Sequence, residues 1–198
     1  KRQDHESVQE LKAQCSPQVL VDFTVFPDSM RIALAALESG IRPVIGTSGY
    51  QPDGIATLRA ACERARIGAV LAANFSPGAA LMMQFATLAA PFFDSAEIVE
   101  THQVGKKDAP SGTALATAQR LGQVKRFTHP TALLEKASGA RGADVAGIGV
   151  HSLRLPGVIA NQDVALSNGD EMLIIRHVTL SRSAFVPGVL RAVRAVMN

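Results

Sequence analysis

The chain has 198 residues, 47% of them hydrophobic, enough for one domain or two small ones. The formal charge is +3 with basic residues scattered along the chain, and there is no Trp and one Tyr, so no nucleic-acid stacking platform is expected. No apolar run approaches the roughly 18 residues of a membrane span, the opening KRQDHESVQEL has no leader pattern, and Cys15 and Cys62 show neither disulfide nor metal-ligand spacing. Together these predict a cytoplasmic protein with no metal, membrane or nucleic-acid partner and a mild attraction for small anions.

Residues 6–13 read as a short polar helix. Residues 19–24, VLVDFT, form a largely apolar run of the kind found in buried parallel strands. Pro27 and Asp28 open a helix through Ile32, Ala33, Ala36 and Leu37, ended by Gly40. A second buried strand spans 43–47, a turn falls at Ser48 and Gly49, a helix covers 54–65, and a third apolar strand covers 68–73. Three strands separated by two helices predict a parallel βαβαβ unit with right-handed crossovers. In such sheets ligands lie beyond the carboxyl ends of the strands. Those ends carry Asp22, Phe23 and Thr24, then Gly46, Thr47, Ser48 and Gly49, then Ala73, Asn74, Phe75 and Ser76. A dinucleotide-binding fold begins with a strand and a glycine-rich phosphate turn. Nothing before Glu6 has that pattern, so either the fold is another one or its first strand, phosphate loop and next strand fall outside these residues.

Residues 77–90 predict a helix in which Met82, Met83, Phe85 and Leu88 make a core stripe in preference to a Met-rich binding surface. Residues 96–100 alternate as a strand and break into a loop holding His102, Lys106, Lys107 and Asp108. Pro110 closes the loop, and Ser111 is placed to N-cap a helix with Ala114, Leu115, Ala118 and Leu121 on its apolar face. Residues 123–142 read as a surface excursion. Segments 148–155, 158–166 and 171–179 alternate, with turns at Pro156-Gly157 and Asn168-Gly169, and predict antiparallel strands. Pro187 and Gly188 precede a last helix over 189–197. The fold class is α/β: a Rossmann-like parallel sheet in residues 1–76 and 182–198, and an α+β domain with a mixed, largely antiparallel sheet in residues 77–181.

The loop concentrates the chemistry. An imidazole titrates closest to neutral pH of all side chains, and His102 stands at a strand end, four residues before Lys106 and near a helix N-terminus. A lone His is more often structural, but these neighbours favour a proton donor beside an anion site. Paired lysines such as Lys106 and Lys107 usually form a solvated turn, with Asp108 as surface partner; the functional reading requires Lys106 to face substrate charge. Ser111, Gly112 and Thr113 offer hydroxyls and open amides to a carboxylate or phosphate, without the glycine spacing or lysine of a P-loop.

At these residues the chain resembles a known family. ETHQVGKKDAPSGTA at 100–114 is similar to the signature of 4-hydroxy-tetrahydrodipicolinate (dihydrodipicolinate) reductases of lysine biosynthesis, E-x-H-H-x-x-K-x-D-A-P-S-G-T-A. VDFT at 21–24, IGTSG at 45–49, AANFSPG at 72–78, GARG at 139–142, HSLRLPG at 151–157 and SRSAFVPG at 181–188 extend the resemblance over nearly the whole chain. It implies His102 as proton donor and Lys106 as the catalytic lysine, with Gln103, Ser111, Gly112 and Thr113 binding a small dicarboxylate. It implies NADH or NADPH held by Phe23, Gly46, Thr47, Ser48, Ala72, Ala73, Asn74 and Phe75, a hinge at 74–77, and a homotetramer formed through the substrate domain's sheet. One departure is Gln103, where the family has a second His; glutamine donates a hydrogen bond but carries no charge. Two other readings use the same residues: a non-catalytic anion-binding module, and a cofactor-free relative of the same fold.

Overall fold

The computed structural model describes residues 4–129 and 134–198, with side chains from residue 7 onward. In chain order the elements are α1 (Asp4–Cys15), β1 (Val19–Asp22), α2 (Asp28–Glu38), β2 (Arg42–Ile45), α3 (Pro52–Ala65), β3 (Val70–Leu71), α4 (Pro77–Ala89), β4 (Ser95–His102), α5 (Gly112–Val124), β5 (Ala143–Val145), β6 (Ile148–Arg154), β7 (Ala160–Ser167), β8 (Met172–Val178) and α6 (Val186–Met197). They fall into two units, Lys1–Phe75 with Val186–Asn198, and Ser76–Phe185.

In the first unit β1, β2 and β3 pair in that order, all parallel, as the βαβαβ reading expects. Leu37, Ala33 and Ile45 pack with Leu58 and Ala61 of α3, and Val8 of α1 closes over Ala35, Ala36 and Ile41. The end of α2 shows why Gly40 is required: its φ is +73°, its amide donates to Leu37, and the Ile41 amide reaches back to Ala36 at 2.8 Å. That pair of bonds reverses the chain into β2 and needs a left-handed residue. Two expectations need correction. The first strand is not fully buried, because β1 is an edge of the described sheet and Val21 is exposed. The last helix does not follow Pro187 and Gly188 but contains them in its first turn, where proline lacks only an amide that no helix carbonyl would accept. A methyl on Gly188 would lie 1.8 Å from the Phe75 carbonyl oxygen, so the helix approaches that backbone only because residue 188 has no side chain.

The second unit is a five-stranded sheet in the order β5-β6-β4-β7-β8. Three of its pairings are antiparallel, and β4 with β6 is parallel. β6 and β7 run in opposite directions on either side of the Pro156-Gly157 turn, but they do not pair as a hairpin, because β4 lies between them. Its alternation of buried Ala96, Ile98 and Glu100 marks the face of the strand that the helices cover. The β7–β8 hairpin at Asn168-Gly169 forms as expected, with Gly169 at φ +98°. The short strand β5 was not expected; three residues carry too little alternation to be read. α4 and α5 cover one face of the sheet through Met82, Ala86, Ala114, Ala118 and Leu121, which pack with Ile98, Ile148, Val150, Val164 and Leu166. The predicted stripe on α4 is rotated: Met82 is buried and Met83 packs beside it, but Phe85 and Leu88 are more than half exposed. Alanines 79, 86 and 90 bring the helix close to the sheet and leave its larger side chains outward. The segment between α5 and β5 holds no helix or strand among the described residues, though Phe127 is buried; residues 130–133 of that predicted excursion lie outside the described residues. No helix among the described residues is long and apolar enough to cross a membrane.

Candidate active site

The site begins with the pleat of β4. Alternate residues face the helices, so Glu100 and His102 project from the same side of the strand, two residues apart. Glu100 is fully buried, whereas the His102 side chain at the strand end retains 16% exposure. The His102 carbonyl accepts the Leu155 amide at 3.0 Å, which holds the end of β4 against the chain leaving β6. Beyond it the chain turns sharply: the Lys106 amide donates to the Gln103 carbonyl at 3.1 Å, and the Gly105 amide donates to Gln103 Oε1 at 2.9 Å. The Gln103 carbonyl oxygens are thus used by the turn, and its side-chain amide nitrogen is the group it can offer to a ligand.

Ser111 caps α5 as expected, its Oγ accepting from the Ala114 amide at 3.1 Å. Gly112 and Thr113 supply the first two helical amides, which by helix geometry have no upstream carbonyl within the helix. The Lys106 ammonium lies 2.7 Å from the Asp108 carboxylate with only 19% of its side chain exposed, while Lys107 is exposed. Burial alone would raise the Asp108 pKa, but the hydrogen bond and charge of Lys106 outweigh it and hold the carboxyl below its ordinary range.

Glu100 joins these pieces. Its Oε2 accepts His102 Nδ1 at 2.5 Å and Arg154 Nη1 at 2.9 Å; its Oε1 accepts Arg154 Nη2 at 3.0 Å and the Ser111 amide at 3.1 Å. Arg154 Nη2 also donates to the Asp108 carbonyl at 2.7 Å. Burial works to raise the Glu100 pKa, but hydrogen bonds from His102, Arg154 and Ser152 outweigh it and bring it down to about 2. A continuous string of polar contacts therefore runs from the imidazole through Glu100, Arg154 and Asp108 to the Lys106 ammonium. The sequence reading singled out neither Glu100 nor Arg154 as a site residue. The available signal was that an acid two positions before a strand-end histidine must share its face.

The residues predicted to meet a nicotinamide lie in the first unit, at the carboxyl ends of its strands. Phe23 is exposed and its ring lies over Gly46, so closely that a methyl there would sit 2.2 Å from the ring. Phe75 is buried, with its ring tilted 57° against Phe23 at 5.5 Å. Thr47 is buried and its Oγ1 donates to the Thr24 carbonyl at 2.9 Å and Asp22 Oδ2 at 3.2 Å. Ser29 also donates to Asp22, which was not expected to organise this turn; burial tends to raise its pKa, but the Ser29, Thr24 and Thr47 hydrogen bonds lower it. Ser48 and Ala73 are exposed, and Ala72 and Asn74 half-buried. An exposed aromatic face beside a turn of small residues, beyond the carboxyl ends of a parallel sheet, fits a flat heteroaromatic ring. Among the described residues no group of three or more His, Cys, Asp or Glu side chains is arranged to hold a metal.

Comparison with known proteins bears on the whole chain. Residues 3–75 match the family described as dihydrodipicolinate reductase, N-terminus, and residues 78–198 match dihydrodipicolinate reductase, C-terminus. The 4-hydroxy-tetrahydrodipicolinate reductase of Moorella thermoacetica is 48% identical over 185 residues, covering 93% of this chain and 69% of that protein. The enzyme of the same name from Geobacillus kaustophilus is 45% identical over 189 residues, covering 94% and 71%. Dipicolinate-bound dihydrodipicolinate reductase from Paenisporosarcina sp. TG-14 superposes with a TM-score of 0.77 at 36% identity, over 96% of this chain and 72% of that one. Both units of the fold, and the strand–loop–helix that carries Glu100, His102 and Ser111, thus fall within matched segments, and the chain belongs to the dihydrodipicolinate reductase family of oxidoreductases.

Proposed function

We propose that the protein reduces the cyclic imine derived from 4-hydroxy-tetrahydrodipicolinate to tetrahydrodipicolinate, in diaminopimelate and lysine biosynthesis, with His102 and Lys106 as its catalytic side chains. The observation that carries this reading is the polar string linking His102, Glu100, Arg154, Asp108 and Lys106 at the mouth of α5. NADH or NADPH, held by Phe23, Gly46, Thr47, Ser48, Ala72, Ala73, Asn74 and Phe75, supplies the hydride when bound. As the ring gains that hydride, negative charge spreads over its carbon–nitrogen system and must be met by one proton. His102 supplies it. The amides of Gly112 and Thr113 and the Ser111 hydroxyl meet a substrate carboxylate at the positive end of α5. Lys106 adds a mobile positive charge, exchanging its Asp108 partner for substrate carboxylate, and Gln103 donates a neutral hydrogen bond. The acid, the cation and the amides belong to adjacent elements of one unit, so their spacing is set by the fold before substrate arrives.

The open face of the five-stranded sheet carries exposed Leu153, Met172, Ile174 and Val178. That apolar surface supports assembly into a homotetramer through this sheet, tested by sedimentation of the protein with Ile174→Lys as the disrupting variant. Two free cysteines fit a reducing cytoplasm.

The test of the reaction is cofactor oxidation in the presence of the imine. His102→Gln and Lys106→Met should each lower kcat about a hundredfold or more with the fold intact. Near-normal turnover of either variant would overturn the assignment of that residue.

A further inference from the structure

We propose that Glu100 is a positioning residue for the proton donor: through Nδ1 of His102 it fixes which ring nitrogen gives up the proton, and through the Ser111 amide it sets that donor against the amides that grip the substrate. This rests on the reading of His102 as the acid, and deepens it.

The geometry leaves Glu100 one role at the ring. Its side chain is fully buried, and its donors include His102 and Arg154 on Oε2 and Arg154 and Ser111 on Oε1. An ionised carboxylate only accepts. Held in the anionic form by the Arg154 guanidinium, it requires a hydrogen on Nδ1 in both the charged and the neutral ring. Nε2 is then the only nitrogen that exchanges. His102 gives the Nε2 proton to the reduced substrate, remains as the neutral Nδ1–H tautomer on Glu100, and takes a proton from solvent at Nε2 to return to its starting state. No ring rotation is needed between turnovers.

Three elements supply the charged groups of this string. On β4 itself there is Glu100; from β6 comes Arg154, and from the loop the Lys106–Asp108 pair. Across the sheet β7 places Ala160 and Gln162 opposite, and α5 begins with Ser111, Gly112 and Thr113, none of them charged. Among the described residues Glu100 is thus the one anion bonded to the imidazole. The same carboxylate fastens the start of α5, so one buried group registers both the proton donor and the anion-binding amides.

Two measurements test this. In the unaltered protein, labelled with 15N, the neutral His102 ring should be the Nδ1–H tautomer; a ring carrying its proton on Nε2 overturns the proposal. In Glu100→Gln, whose side-chain amide can present either a donor or an acceptor to Nδ1, the same 15N measurement should show the neutral His102 ring as a mixture of tautomers, and kcat should fall about tenfold or more with KM little changed. A variant ring that stays wholly Nδ1–H with kcat unchanged overturns the proposal, and a merely structural role would lower activity without changing the tautomer. Retained turnover in His102→Gln would instead sink the reading of His102 as the acid, which the tautomer measurement does not touch.

Discussion

Replacing Arg154 with Met tests whether the buried carboxylate depends on its guanidinium partner. Arg154 makes a two-pronged contact with Glu100 at 2.9 and 3.0 Å, and its side chain is 20% exposed against none for Glu100. With charge centres about 4 Å apart and an effective dielectric near 20, the attraction is about 4 kcal/mol. Glu100 keeps His102 and the Ser111 amide after the substitution, which reduces the loss, so Arg154→Met should destabilise the protein by about 3 kcal/mol, the lower end for breaking a buried pair. For a chain of this size that is a fall in Tm of about 6–12 °C. Calorimetry of the full chain at neutral pH reads it directly, and the transition containing the second unit is the one that should move. The double variant Glu100→Gln/Arg154→Met removes the stranded charge and should cost less than Arg154→Met alone. A single-variant loss below about 1 kcal/mol, or a double variant worse than the sum of the singles, would refute the claim that Glu100 is ionised and held by Arg154.

Other outcomes follow from the same structure. Because the folded pKa of Glu100 is depressed from 4.5 to about 2, its contribution is fully present above pH 4.5 and is lost as pH falls from there through about 2. The loss should be about 3 kcal/mol, read from denaturation midpoints across that window, and the slope should flatten in Glu100→Gln. Gln103→His should lower KM for the dicarboxylate about fivefold by adding a charge-assisted donor, and an unchanged KM would show that residue 103 does not meet substrate. Gly188→Ala drives a methyl into the Phe75 carbonyl, backbone that cannot swing aside. It should cost up to about 3 kcal/mol and weaken NADH and NADPH binding measured by fluorescence titration, since Phe75 lies against Phe23. Undiminished stability and cofactor affinity would mean α6 can move away from Phe75 freely.

Much of this architecture is legible locally. Gly40 and Gly169 mark turns whose positive φ few other residues adopt, Ser111 caps the helix it precedes, and the apolar runs of β1 and β2 pair in parallel as their spacing by a helix requires. What sequence could not show is pairing across distance. The insertion of β4 between β6 and β7 joins residues some fifty positions apart, and nothing in the Pro156-Gly157 turn announces that its flanking strands are not neighbours. The stripe on α4 misled because Phe85 and Leu88 are apolar without being core; the close approach to the sheet is made by alanines, whose small size leaves no periodic signal of its own.

The site divides along the same line. His102, Lys106 and Ser111 lie within ten residues, so their proximity is written in the chain, whereas Arg154 reaches them only because β6 runs parallel to β4 with His102 opposite Arg154 and Glu100 opposite Ser152. That register carries a consequence for the chemistry. A slip by one residue would turn Arg154 to the opposite face of the sheet and leave Glu100 buried with no counter-charge, a state costing several kcal/mol. The apolar core resists the slip through Ile98 and Val150, which pair directly and are both buried. Sheet packing and the ionisation of the group behind the proton donor are therefore set by one and the same pairing, so that damage to the core at Ile98 reaches Glu100 and, through it, the imidazole.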